Sequence, residues 1–383
     1  MKNVLLIFGG MSYEHDISIV SASQIFNKTR LKNYQIIPVY WSKNNRFFIY
    51  KNNQFCLSDF VKFDDDKPPK NLKEVVFVSS EKGKLFSKSL FGLKEIISSN
   101  LAIIACHGGD GENGGLVSFL EQHGIFSSAG SIEGLMISMN KILFKNLMKS
   151  IKIPVVKGFV LNKETYSNYN YEKELKNLKF PVVLKPIKGG SSIGLFVAKS
   201  IDEFQEKIKD AFEFDDEILV ENFISGAREF NIAVLGDKDT FEISEIDEPL
   251  KISEILTFED KYMSGEKSEK GGMKSLNSMA GQKRKFPAVV DEDVSEKIKY
   301  YAKEIFKNMN LSGVARIDFL YDETKNKLYV CEVNAIPGSL AFYFFSSGEI
   351  LINSFVLKLI DIANKKYEKQ SNIKIDFITN ILS

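Results

Sequence analysis

The chain has 383 residues, of which 44 % are hydrophobic and 26 % charged, the balance of a folded chain rather than a disordered one. Fifty-one basic residues against fifty acidic ones leave a net charge of +1, so no global positive field exists to hold a nucleic-acid backbone. At ~100–200 residues per domain the length predicts two or three domains. Cys56, Cys106 and Cys331 form no CxxC pair, which argues against a disulfide framework or a cysteine zinc site and for a reducing cytoplasm. The apolar run Val4–Phe8 is too short for a signal peptide, and no stretch approaches the ~20 apolar residues of a membrane span.

Val4–Phe8, ending in Gly9-Gly10, has the pattern of a buried parallel strand followed by a tight turn. A helix is expected over about Ile17–Phe26, a strand over Gln35–Tyr40, and a third strand, Leu101–Cys106, running into a glycine-rich loop. Between them, about 43–99 is polar and lysine-rich and reads as a surface insertion with some strand content. Helices are expected at Gly115–Gly124 and Gly134–Ser150, the second ending before Pro154. Near residue 145 the character changes to an α+β pattern. Its strands are Phe180–Pro186, Leu195–Ala198, Glu217–Glu221 and Glu229–Leu235, with a helix at Ile201–Phe212. The stretch 258–285 is polar and glycine-bearing, the composition of a surface loop or an active-site lid. A helix Asp291–Met309, a hairpin over 313–334 and a closing helix from about Ile350 to Tyr367 complete the order.

The hairpin concentrates the chemistry. Arg316 and Asp318 share one face of its first strand, and Glu332 and Asn334 share one face of its second. A turn in Asp322–Lys327 sets Tyr321 near Leu328, and counting back places Asp318 across from Cys331 or Glu332. Two carboxylates and an amide oxygen without histidine or cysteine form a hard donor set suited to Mg2+ shared with nucleotide phosphates. The same groups would also satisfy one another as a cross-strand ion pair. Lys185 ends an apolar strand just before the Gly/Ser turn 188–194, which presents backbone N–H groups in a concave nest suited to phosphate oxygens. Glu221, at the end of a strand beside Phe223 and Ile224, suits an adenine amino group and ring, and Glu229 suits ribose hydroxyls. Two glycine loops, 9–14 and 107–115, follow strands and open onto the carboxyl edge of the first sheet, where ligands bind in open α/β folds. There Glu14 could hold an ammonium and His107 could orient a carboxylate. No histidine forms a zinc pattern, and the loops are not a GxGxxG dinucleotide fingerprint.

These strings occur in one order: GGMSYEHDIS (9–18), HGGDGENGG (107–115), Met139-Asn140-Lys141, FPVVLKP (180–186) with GGSSIG (189–194), LVENFISGAREFNIAVLG (219–236), FEDKY (258–262), GVARIDF (313–319) and CEVNAIPGS (331–339). Together they resemble the D-alanine–D-alanine ligase family of the ATP-grasp superfamily. The resemblance implies an α/β and α+β multidomain chain with a Rossmann-like parallel-sheet domain over 1–140. A central ATP-grasp subdomain over 141–225 and a C-terminal one over 226–383 would follow. It implies that Lys141, Lys185, Ser192 and Lys261 hold ATP phosphates, that Glu221, Phe223 and Ile224 form the adenine hinge, and that Glu229 meets the ribose. Asp318, Glu332 and Asn334 resemble ligands of two Mg2+ (or Mn2+) ions. Arg316 and the Gly338 N–H resemble groups that face the reacting centre. Glu14 resembles the residue that takes the first D-alanine ammonium, with His107 near its carboxylate, and Ser191 and Tyr262 link Glu14 to the closing loop.

One departure is plain. The family continues after its metal asparagine with a Pro-Gly-Met-Thr-Ser-like stretch, whereas here Pro337-Gly-Ser339 runs into Phe342-Tyr-Phe-Phe345. Ser339 or Ser346 is the expected substitute for binding the second substrate. The implied activity is ATP-dependent joining of two D-alanines for peptidoglycan, with D-serine or another amino acid as the alternative acceptor. A cytoplasmic homodimer acting on small molecules, with no nucleic acid or membrane partner, is the expected setting.

Overall fold

The computed structural model describes residues 1–250, 284–345 and 351–373. Strands β1 (Lys2–Gly9), β2 (Tyr34–Trp41), β3 (Phe47–Tyr50), β4 (Leu72–Phe77), β5 (Lys84–Ser89), β6 (Gly92–Ser98), β7 (Leu101–Ile104) and β8 (Phe126–Ser127) form one sheet in the order β6-β5-β4-β3-β2-β1-β7-β8. The β2-β1-β7-β8 half is parallel, and β3 to β6 extend it antiparallel. Because β1 has a neighbour on each side and covering on both faces, Val4–Phe8 are wholly buried. Helix α1 (His15–Lys28) follows β1, and α2 (Gly115–Gln122) follows β7. The range 43–99 is more than a solvated insertion. Its aromatic residues supply core, since the Phe8 ring packs on Phe55 at 5.1 Å and on Phe60 at 5.4 Å.

The expected long helix over 134–150 is two helices, α3 (Ile132–Met139) and α4 (Lys141–Ser150). Asn140 breaks it: its side chain accepts from the N–H groups of Ile142 and Leu143 at 3.0 and 3.1 Å, an N-cap that starts α4 at Lys141. Next, β9 (Gly158–Asn162), β10 (Val182–Pro186), β11 (Phe196–Ala198) and β12 (Glu217–Asn222) form an antiparallel sheet ordered β11-β10-β12-β9. Short α5 (Tyr171–Leu175) and α6 (Ile201–Ala211) accompany it, and its core holds Val182, Leu184, Ile218, Val220, Phe204 and Ile208. By strand alternation Val183, Lys185, Leu219 and Glu221 point to the opposite face.

A third sheet runs β14-β13-β17-β18. It comprises β13 (Arg228–Gly236), β14 (Phe241–Ile243), β17 (Gly313–Asp322) and β18 (Lys327–Asn334); β15 (Glu248–Pro249) and β16 (Arg284–Lys285) pair separately. Helices α7 (Glu292–Asn308) and α8 (Ile352–Ser371) close the chain order. Buried residues of the first and third sheets merge into one continuous core, while the second sheet keeps its own. The open space between those two cores is where the chemistry-bearing strands face each other. No described helix is long and apolar enough to cross a membrane.

Candidate active site

Two hollows meet in that space. The first is a cleft lined by Val183, Lys185, Glu221, Phe223 and Ile224 on one side and by Glu229, Asp318, Leu320 and Glu332 on the other. The second is a smaller cavity lined by Glu14, His107, Glu112, Ser191, Arg316, Asn334 and Gly338. Lys141, Gly189, Gly190, Cys331 and Glu332 line both, so the two share a wall. Ser192 lines the cleft beside Gly190. Lys261 and Tyr262, expected at the phosphates and the closing loop, lie outside the described residues, as does Ser346; of the stretch 258–285 only Arg284 and Lys285 are described, as β16.

The register question in the hairpin resolves through a bulge. Tyr321 pairs with Leu328 and Phe319 with Val330, but Cys331 is an extra residue on β18, so Asp318 pairs with Glu332 and Arg316 with Asn334. The bulge thus sets all four polar residues on one face. Arg316 donates to both oxygens of Asp318 at 2.7 Å, Nε to Oδ1 and Nη2 to Oδ2, and Asn334 Nδ2 donates to Oδ2 at 3.1 Å. With the Asn231 amide oriented so that its nitrogen faces acceptors, it also donates to Asp318 Oδ1 at 3.1 Å. Burial works against the Arg316 charge, yet the Asp318 carboxylate more than offsets it and holds the guanidinium well above its ordinary pKa. Both readings of the hairpin therefore meet here: an ion pair, and a set of oxygen donors. Among the described residues no three His, Cys, Asp or Glu side chains converge as a metal cluster. Two carboxylates with one amide oxygen fit a Mg2+ that draws its remaining ligands from water and phosphate.

Glu14 sits where α1 begins and accepts a hydrogen bond from Ser191 Oγ of the Gly/Ser loop. Its carboxylate is pressed between two glycines: a Cβ at Gly108 would stand 2.9 Å from Oε2, and one at Gly190 would stand 3.3 Å away. Three loops remote in sequence therefore close on one acid. Lys141, the first residue of α4, donates to the carbonyls of Pro186 (2.9 Å) and Gly189. Burial pushes its ammonium down to about 8, although the Glu332 carboxylate pulls the other way. Lys185 Nζ lies 2.7 Å from Glu221 Oε2.

Two of the expected substrate residues are tied into the protein itself. His107, which lines the smaller cavity, has partners at both ring nitrogens: Nδ1 meets the Ile336 carbonyl at 2.8 Å and Nε2 meets Ser21 Oγ at 2.8 Å. A carbonyl partner requires Nδ1–H, so Ser21 donates to Nε2, and burial keeps the ring's pKa below its ordinary value. Ser339 is buried, and its backbone N–H donates to that same Ser21 Oγ at 2.9 Å. That backbone bond anchors the turn on α1, while the buried Ser339 hydroxyl has no partner among the described residues. The aromatic run after it is largely packing: Phe342 and Phe345 meet Phe355 at 5.5 and 6.0 Å, and Phe344 meets Phe286 at 5.8 Å. Tyr343 differs, carrying the Arg284 guanidinium 4.4 Å over its ring.

Sequence reasoning missed two buried groups. Glu112 accepts from the Gly108 N–H at 2.9 Å, and burial, with the Glu14 charge second, pushes its carboxyl up to about 8. Lys145, one helical turn beyond Lys141, contacts the other oxygen of Glu221. Their signals were present, an acid enclosed by glycines in 107–115 and a lysine at i+4 from a site lysine.

Family models described as D-ala D-ala ligase N-terminus and D-ala D-ala ligase C-terminus match residues 3–128 and 147–348. The chain belongs to the D-alanine–D-alanine ligase family. A Thermosipho melanesiensis relative named D-alanine–D-alanine ligase is 35 % identical over 385 residues, covering 100 % of this chain and 98 % of its own. Among solved structures, the D-alanine–D-alanine ligase of Helicobacter pylori is similar at 29 % identity and a TM-score of 0.73, covering 95 % of this chain and 98 % of that one. A D-Ala:D-Ser ligase from Enterococcus faecalis is similar at 27 % identity and a TM-score of 0.76, covering 94 % and 99 %.

The Glu112 shift has a measurable sign. A carboxyl raised from 4.5 to about 8 contributes stability that is whole below pH 4.5 and lost as pH rises through about 8. Glu112→Gln, neutral throughout, should gain in melting temperature relative to wild type across that window. A difference that does not change between pH 4.5 and 8 would show that Glu112 is not held neutral.

Proposed function

We propose that the chain is an ATP-dependent D-alanine–D-alanine ligase, supplying dipeptide for peptidoglycan. The observation that carries this reading is the shared wall: a cleft with nucleotide chemistry opens through Lys141, Gly189, Gly190 and Glu332 into a cavity with amino-acid chemistry. A carboxylate is a poor electrophile and must be activated. ATP transfers its γ-phosphoryl group to a carboxylate oxygen of the first D-alanine, releasing ADP. The amine of the second D-alanine then attacks the acyl carbon, the C–N bond forms, and phosphate leaves with that oxygen as the amine loses a proton.

Each residue has a role in this sequence. Glu14, fixed by Ser191, takes the first ammonium, which aims its carboxylate toward the shared wall. Lys141, Lys185 and Ser192 bind phosphate oxygens, Phe223 and Ile224 flank the adenine beside Glu221, and Glu229 binds ribose. Arg316 and the Gly338 N–H face the oxyanion that develops on the acyl carbon. Asp318, Glu332 and the Asn334 amide oxygen would hold two Mg2+ (or Mn2+), which neutralise phosphate charge when bound. For Arg316 this requires leaving Asp318, since one carboxylate cannot serve both partners fully. Lys261 and Tyr262 of the stretch 258–285 would close over the cleft and keep the acyl-phosphate dry. The alternative acceptor is D-serine or another amino acid, because the Phe342–Phe345 run departs from the family stretch that holds the second substrate.

An acceptor panel tests the reading. With Mg-ATP and D-alanine alone, ADP should form together with a dipeptide of D-alanyl-D-alanine mass; turnover only after D-serine is added would transfer the assignment to the alternative. Glu332→Ala should lower Mg-dependent turnover by ~100-fold or more while leaving the thermal transition in place. Near-normal turnover in that variant contradicts the metal assignment.

A further inference from the structure

Lys145 is a buried cation that the reaction scheme does not use. It projects from α4 one turn beyond Lys141, and it lies behind Glu221 rather than on the cleft wall. Its Nζ has two acceptors, Glu221 Oε1 and the Val156 carbonyl at 2.6 Å. Glu221 is 5 % exposed, and its second oxygen is held by Lys185 at 2.7 Å. The acid is confined by backbone as well. Gly158 is its cross-strand partner, and a Cβ there would come within 2.9 Å of Glu221 Cγ, so only glycine leaves the side chain its course. Burial, and after it the nearby Lys185 cation, push the Lys145 ammonium down to about 7, while its Nζ keeps its contact with the Glu221 carboxylate.

The two lysines on Glu221 are not equivalent. Lys185 lines the cleft, whereas Lys145 does not and is tied to the Val156 carbonyl as well as to the acid. We propose that Lys145 is a positioning residue for base recognition: it retains the Glu221 carboxylate when Lys185 leaves for the phosphates, so that the freed oxygen accepts the adenine amino group. A carboxylate has only acceptors. It therefore rewards a base edge bearing an N–H donor and opposes one bearing a carbonyl, as in hypoxanthine. Without Lys145, the buried acid would keep Lys185 for itself or take up a proton, and either outcome weakens the discrimination. This inference rests on the ATP-dependent reading above.

The test compares ATP with ITP, whose base carries a carbonyl where adenine carries the amino group. In wild type, Lys145→Arg, Lys145→Met and Lys145→Gln, kcat/KM is measured for both nucleotides at saturating D-alanine, with ADP and IDP binding measured by calorimetry without D-alanine. Wild type and Lys145→Arg should prefer adenine. Lys145→Met should lower the ATP/ITP ratio by ~10-fold or more, mainly through a higher KM for ATP. Lys145→Gln keeps donors for both acceptors without the charge; it should fold if the methionine variant does not, and should lower the ratio too. A ratio unchanged in the variants, with both nucleotides weakened equally, overturns the proposal and leaves Lys145 a purely structural tie. Wild type that binds neither ADP nor IDP would instead overturn the ATP-dependent reading itself.

Discussion

Charge compensation inside a partly closed space governs this site. Lys141 and Lys185 line a cleft whose walls also carry Glu221, Asp318 and Glu332, with Lys145 behind Glu221 and Arg316 in the adjoining cavity. An unpaired charge in such a place costs several kcal/mol. Two acids of the cleft accordingly rest on the protein's own cations: Glu221 on Lys145 and Lys185, Asp318 on Arg316. Under the proposed function, ligand binding would be an exchange of partners rather than the filling of a vacant socket, and the cations released would serve the phosphoryl group.

The exchange works because three separate pieces of chain enclose it. Glu14 stands between Gly108 and Gly190 and is held by Ser191, so the first sheet, the Gly/Ser loop and the amino-acid cavity are joined at one carboxylate. On the other flank, His107 bridges Ser21 and Ile336, while Ser21 also receives Ser339. That network fixes the loop bearing Gly338 against α1. The histidine and serine expected at the substrate thus also fasten the loop, a role that only their distant partners reveal.

Much of the architecture was legible because its signals are local. The apolar run of β1, the glycine turns and the alternation in the hairpin each state their own conformation. What escaped depends on partners far along the chain. The hairpin register could be counted only to within one residue, because the bulge at Cys331 leaves no mark in a run of strand-forming residues. The break at Asn140 was written in the sequence as a capping residue, but the flanking apolar pattern continued through it. The range 43–99 looked solvated because its lysines outnumber the aromatics that reach Phe8. Glu112 and Lys145 are ordinary letters until burial gives them meaning.

Under the proposed function, the cleft and the smaller cavity form one reaction chamber, in which an acid is phosphorylated and the phosphate then displaced. Turnover with D-alanine labelled by 18O in both carboxylate oxygens examines this directly. One labelled oxygen should appear in inorganic phosphate for each dipeptide formed. Dipeptide formed alongside phosphate free of label would contradict the account, because the carboxylate would then never have been joined to the phosphoryl group.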